Sequence, residues 1–205
     1  MLLHSLVNKP LEAIHINGRD YHVELSFDKV IRFYNTIDSK RVNEQAIIAS
    51  FFDLVPNAQP EDFTKSQIIN ALSFFMEYIN YSPYGAQGST DIIGEDMNQQ
   101  AQETKYYDFF QDAQIIYASF LMYANIDLYD QIGKLHWDKF QAVLMCLPDE
   151  SMFRKVVDIR QRQPNDEERN DSKFMASLSQ QKAYYKLKDS RDLKNIAVNR
   201  QIRGE

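Results

Sequence analysis

Asp108 and Asp112, four residues apart, and the histidines His15 and His22, facing each other across a predicted hairpin, are the spacings here that chemistry could use. Carboxylates at i and i+4 share one helical face and could act as general acid and base. The same spacing has a structural explanation, because acids in a first turn interact favourably with the helix dipole and a buried one can pair with Arg160. His15 and His22, with Asp20 or Glu24, carry metal-ligand types. Polar residues on the wet face of a hairpin need no ligand to explain them, so no metal is expected. His136, beside Trp137, reads as a hydrogen-bonded structural histidine. The single Cys146 excludes an intrachain disulfide and a cysteine-based metal cluster and has no nearby histidine in sequence to activate it; it is expected to be a small core residue on a helix. There is no His-Glu-x-x-His, Gly-x-Ser-x-Gly or glycine-rich phosphate cradle. The expectation is a protein that is not an enzyme, without catalytic, cofactor-binding or metal residues.

The elements that must position these residues are mainly helical. With 205 residues, 44% hydrophobic and 25% charged, the chain is long enough for one good core. Mean hydropathy is -0.49, and no apolar run approaches a membrane span. Residues 13–25 read as a hairpin turning at Asn17-Gly18, with Ile14, Ile16, Tyr21, Val23 and Leu25 on the buried face. Three core-forming helices follow: from Phe27 to Ser39 capped by Ser26, from Asn43 to Pro56, and from Thr64 to Tyr81. Residues 82–105, rich in Gly, Gln, Asn and Ser, read as a mobile linker. A wide apolar stripe from Asp108 to Asn125, holding Phe109, Ile116, Tyr117, Phe120 and Tyr123, predicts a central helix buried on most sides. Gly133 breaks the chain before a helix on which Trp137, Phe140, Leu144 and Leu147 share one face, and Ser151 to Gln163 forms another. The predicted structural core includes Tyr117, Phe120, Trp137, Phe140, Asp112 and Arg160.

The stretch from Tyr107 to Arg160 also resembles a known family. Tyr107-Asp108-Phe109, Asp112-Ala113, Ile116-Tyr117-Ala118-Ser119-Phe120, Tyr123 with Ile126-Asp127-Leu128, Leu135-His136-Trp137 with Phe140, and Ile159-Arg160 follow the pattern of the Gp-fifteen family of bacteriophage proteins, encoded among tail genes. Asn125 stands where the family often has glycine, and Asp138 where it often has a second tryptophan. The resemblance spans roughly residues 8 to 165. It implies a tail-assembly chaperone in the cytoplasm of the bacterial host, which binds the tape-measure protein and self-associates. The alternative it leaves is a structural component retained in the virion.

Charge divides unevenly, with a net of -11 over the first 150 residues and +5 over the rest. Residues 164–205 form a basic segment set apart from the domain of residues 1–163, and Phe174, Leu178, Tyr184 and Tyr185 with Lys182 and Lys186 read as a partner-binding helix with too thin a stripe to make a core. The interleaved lysines and tyrosines could also track nucleic acid, but a pI of 5.3 opposes that reading. The predicted architecture is a mainly α, compact bundle of six to seven helices with an N-terminal hairpin and a projecting C-terminal helix.

Overall fold

The computed structural model describes residues 6–37, 43–81 and 106–188; the predicted linker at 82–105 lies outside them. It is mainly helical with an N-terminal two-stranded antiparallel hairpin. The chain divides into two compact units. The first comprises Met1–Glu103 with Tyr129–Ala142, the second Thr104–Leu128 with Val143–Glu205.

In the first unit, β1 (Ala13–Ile16) pairs with β2 (Arg19–His22) in the register Ile14 opposite Tyr21 and His15 opposite Asp20. The turn needs two left-handed residues, and Asn17 (φ 53°) and Gly18 (φ 76°) supply them. Helix α1 (Phe27–Ile37) turns Val30 and Phe33 inward. Helix α2 (Glu44–Leu54) starts where the Asn43 side chain accepts the Ala46 N–H at 2.7 Å. A 3-10 turn at Pro60–Asp62 leads to α3 (Lys65–Ile79), whose start is closed by a reciprocal Thr64–Gln67 capping box. The chain returns to this unit at Tyr129. Gly133, at φ 71°, donates its N–H to Asp28 at 2.8 Å, and the following residues pair with the stretch after the hairpin. Phe27 N–H reaches Leu135 O at 2.9 Å and Trp137 N–H reaches Leu25 O at 2.7 Å. Ser26, expected to cap α1, is the bridge residue opposite His136. This stitching delivers Trp137 and Phe140, on the first turns of α5 (Trp137–Met145), into a core with Phe51, Phe75, Tyr78 and Val30.

In the second unit, α4 (Ala113–Ser119) runs into a π turn (Phe120–Ala124) that stops at left-handed Asn125, φ 53°, a conformation that asparagine tolerates better than most residues. The predicted helix over 108–125 is thus shorter, and changes from α to π along its length. It starts late because Asp108 accepts the N–H groups of Phe110 and Gln111 in a preceding turn. Nor is it buried on most sides. Ile116 and Phe120 are buried, but Leu121, Met122 and Tyr123 are exposed and Tyr117 is only half-buried. The π turn shifts the phase of the stripe, so a 3-4 spacing that assumes a regular helix no longer lands on one face. The second unit continues through the last turn of α5 and then α6 (Met152–Gln161), capped by Ser151, α7 (Asp166–Asn170) and α8 (Ser172–Tyr184). Cys146 is exposed rather than buried, because it falls just past the end of α5, between buried Leu144 and Leu147. No helix among the described residues is long and apolar enough to cross a membrane.

Candidate functional site

The titratable cluster in the first unit is held by structural bonds. Tyr78 donates its hydroxyl to Asp138 Oδ2 at 2.5 Å and accepts the Leu11 N–H at 3.1 Å. Burial, reinforced by that carboxylate, pushes the Tyr78 pKa above its ordinary value, so the hydroxyl stays protonated. Burial pushes His136 down, against the pull of Asp138. A neutral ring with its proton on Nε2 satisfies both neighbours: it donates to Leu11 O at 3.4 Å and accepts the Asp138 N–H on Nδ1 at 3.2 Å. Asp138 thus supplies a polar clamp on Tyr78. His15 bonds to Asp20 at 2.7 Å and His22 to Glu12 O at 3.0 Å. They stand at offset rungs of the hairpin, and no group of three or more metal-ligating residues is gathered among the described residues. A depression of about 340 Å³ between α1 and α2, lined by Arg32, Phe33, Thr36, Ala46, Ser50 and Asp53, brings an Arg32–Asp53 pair at 3.7 Å to its wall.

The second unit is organised around Arg160. Its guanidinium grips Asp112 with two parallel bonds, Nη1 to Oδ2 at 2.7 Å and Nη2 to Oδ1 at 2.8 Å, both side chains being buried. Two further donors reach main-chain carbonyls, Nε to Tyr185 O at 2.6 Å and Nη1 to Tyr106 O at 2.9 Å. Asp112 Oδ2 also accepts the Asp108 N–H at 3.0 Å. Asp108 is therefore a turn cap through Oδ1, and Asp112 an ion-pair partner with both oxygens engaged. One residue before Asp112, the Gln111 amide brackets residue Leu187: Nε2 donates to Lys186 O at 2.9 Å and Oε1 accepts the Lys188 N–H at 2.8 Å.

The predicted partner-binding residues are placed as follows. Leu178 is buried and α8 packs against α6, so the helix expected to project has its stripe occupied. Phe174 is half-buried with the Arg162 guanidinium 5.2 Å over its ring, and Lys182 Nζ donates to Arg162 O at 2.7 Å. Tyr185 and Lys186 lend their carbonyls to Arg160 and Gln111. Tyr184 stays open, at 80% exposure, its ring edge-on to Tyr185. The sequence reading did not single out Gln111, which looks like an ordinary solvated helix residue, nor Met122, 75% exposed. The apolar run Phe120-Leu121-Met122-Tyr123 was the available signal for Met122, since four consecutive apolar residues are more than one helical face can bury.

A family model described as Bacteriophage Gp15 protein matches residues 7–187. Neither the curated proteins nor the solved structures contain a match.

Proposed function

The chain belongs to the bacteriophage Gp15 protein family, and from that premise we propose that it is a tail-assembly chaperone, a binding protein and not an enzyme, which works in the cytoplasm of the infected bacterium. Its partner is the long helical tape-measure protein, which it keeps soluble while the tail tube polymerises, and it self-associates along that partner. The family match over residues 7–187 is the observation that carries this reading. The run Leu121, Met122 and Tyr123 adds an exposed apolar surface of the adaptable, methionine-bearing kind that suits an amphipathic helix. Binding to nucleic acid is disfavoured, because a pI of 5.3 lacks the needed positive field.

Co-expression with the tape-measure protein of the same phage tests the role. Co-purification of the two, together with absence of this chain from purified virions by mass spectrometry, is the expected result. Its presence in virions at stoichiometric amounts would instead make it a structural tail component. Failure to co-purify, with tape measure that stays soluble on its own, would remove the chaperone role.

A further inference from the structure

The outer edge of the hairpin carries main-chain groups that the structure leaves open. Val23 N–H donates to Glu12 O at 2.9 Å, which makes Glu12 and Val23 a hydrogen-bonded pair and fixes the alternation along the ladder. The next pairs to exchange bonds are therefore Ile14 with Tyr21 and Ile16 with Arg19, and Ala13 and His15 turn their N–H and C=O groups away from β2. Neither main chain meets a partner among the described residues. The flanking residues are occupied: Leu11 N–H donates to Tyr78, Leu11 O accepts from His136, and Asn17 is held in the turn. Sheet edges are usually blunted by lysine, proline or a bulge, and β1 (Ala-Ile-His-Ile) has none of these. Beside this edge Ile14 and Ile16, expected on the buried face, stay half-exposed, whereas Tyr21 and Val23 on the same face are buried.

We propose that β1 pairs with β1 of a second copy of this chain, antiparallel about a two-fold axis at Ile14, so that the two hairpins join into one continuous sheet. The placement of the open groups selects this occupant. With Ile14 facing Ile14 of the second copy, Ala13 of each strand lies opposite His15 of the other, and every open N–H and C=O finds its complement. An axis at Ala13 would call on Leu11, whose main chain is already bonded, and an axis at His15 would call on Asn17 in its left-handed turn. The axis also falls on a non-hydrogen-bonded pair, where facing side chains stand closest, so the half-exposed isoleucines cover each other. His15 meets the small Ala13 there, and no like charges oppose one another across the axis. The helical tape measure does not fit this edge, because a helix spends its main-chain groups within itself. The pairing rests on the self-association in the proposed function and names the surface responsible for it.

The test uses the full chain with Cys146→Ser, which removes its single native thiol, and adds either Ile14→Cys or His15→Cys. Facing residues of a non-hydrogen-bonded pair stand about 4.5 Å apart at Cα, within disulfide reach, whereas His15 lies opposite Ala13. Under mild oxidation the Ile14→Cys protein should form a disulfide-linked dimer on non-reducing gels at least ~10-fold faster than the His15→Cys protein. Ala13→Pro removes an outward N–H from each copy and leaves the bonds to β2 intact; with circular dichroism unchanged it should weaken self-association at least ~10-fold by sedimentation equilibrium. If Ala13→Pro does not fold, the two thiol positions decide by themselves. Equal crosslinking at both, or a folded Ala13→Pro protein that associates as wild type, would overturn the pairing and leave self-association on another surface. A chain that stays monomeric at all concentrations would overturn both. If Ala13→Pro instead abolishes co-purification with the tape measure while the free chain is monomeric, this edge belongs to the tape measure and the pairing is wrong.

Discussion

Replacing Asp112 and Arg160 singly and together separates a buried ion pair from a surface one. Their side chains are 5% and 7% exposed, and two near-parallel bonds of 2.7 and 2.8 Å join them. Removing one member of such a pair strands a desolvated charge and costs about 3–5 kcal/mol, whereas an exposed pair contributes about 0–1 kcal/mol. Asp112→Leu should fall near the lower end of that range, because Arg160 keeps the Tyr106 and Tyr185 carbonyls. Arg160→Met should fall at the upper end, since those carbonyls lose their donor and Asp112 retains only the Asp108 N–H. The double variant exchanges the pair for apolar volume and should cost less than the two singles added together by about 2 kcal/mol or more. Urea unfolding followed by circular dichroism measures it; Trp137 belongs to the other unit, so its emission is the wrong probe. Singles that each cost under about 1 kcal/mol, or costs that add, would refute the claim that this pair organises the second unit.

Trp137 is 2% exposed, stacks on Phe140 at 5.5 Å and donates to Ile79 O, so its native emission should be blue-shifted, and Trp137→Ala should cost about 3–5 kcal/mol. For His136 the folded pKa lies below the ordinary 6.5; its contribution to stability is therefore complete above that pH and lost as pH falls through the folded value, and His136→Gln should flatten the acid side of a stability-pH profile relative to wild type. Tyr78 is shifted the opposite way, so wild type should lose stability above pH 10.0, where the unfolded tyrosine ionises, while Tyr78→Phe should lack that alkaline loss and be less stable at neutral pH by about 1–3 kcal/mol, as read by thermal melts.

Signals that depend on local chemistry were legible in the chain. Asn17-Gly18 announced the hairpin, Asn43, Thr64 and Ser151 marked helix starts, and the spacing of Trp137, Phe140, Leu144 and Leu147 gave a buried face. The Asp112–Arg160 pair was readable because a carboxylate on an apolar helical face needs a cation. The errors arose where tertiary hydrogen bonding overrides local preference. Ser26 has the right type for a cap, yet the return of the chain at Leu135–Trp137 places it in a bridge. Asp108 holds the chain in a turn where the apolar periodicity asked for helix. Cys146 was assigned to the core from its residue type, and one residue beyond a helix end suffices to expose it.

The wide stripe of α4 shows why the candidate surface was harder to read than the fold. Apolar residues on several faces of a helix mean either burial on several sides or a face kept for a partner, and composition is identical in the two cases. What distinguishes them is the phase of the backbone. Phe120 and Leu121 are adjacent in sequence, yet one is completely buried and the other 42% exposed, because neighbouring side chains on a helix point in different directions and the core covers one of them. Gln111 was hidden for the converse reason, since its partners are main-chain atoms 75 and 77 residues away that no side-chain pattern encodes. Both features lie in the unit that holds the basic C-terminal segment, and its exposed stripe, rather than any titratable cluster, is where variants should separate partner binding from folding.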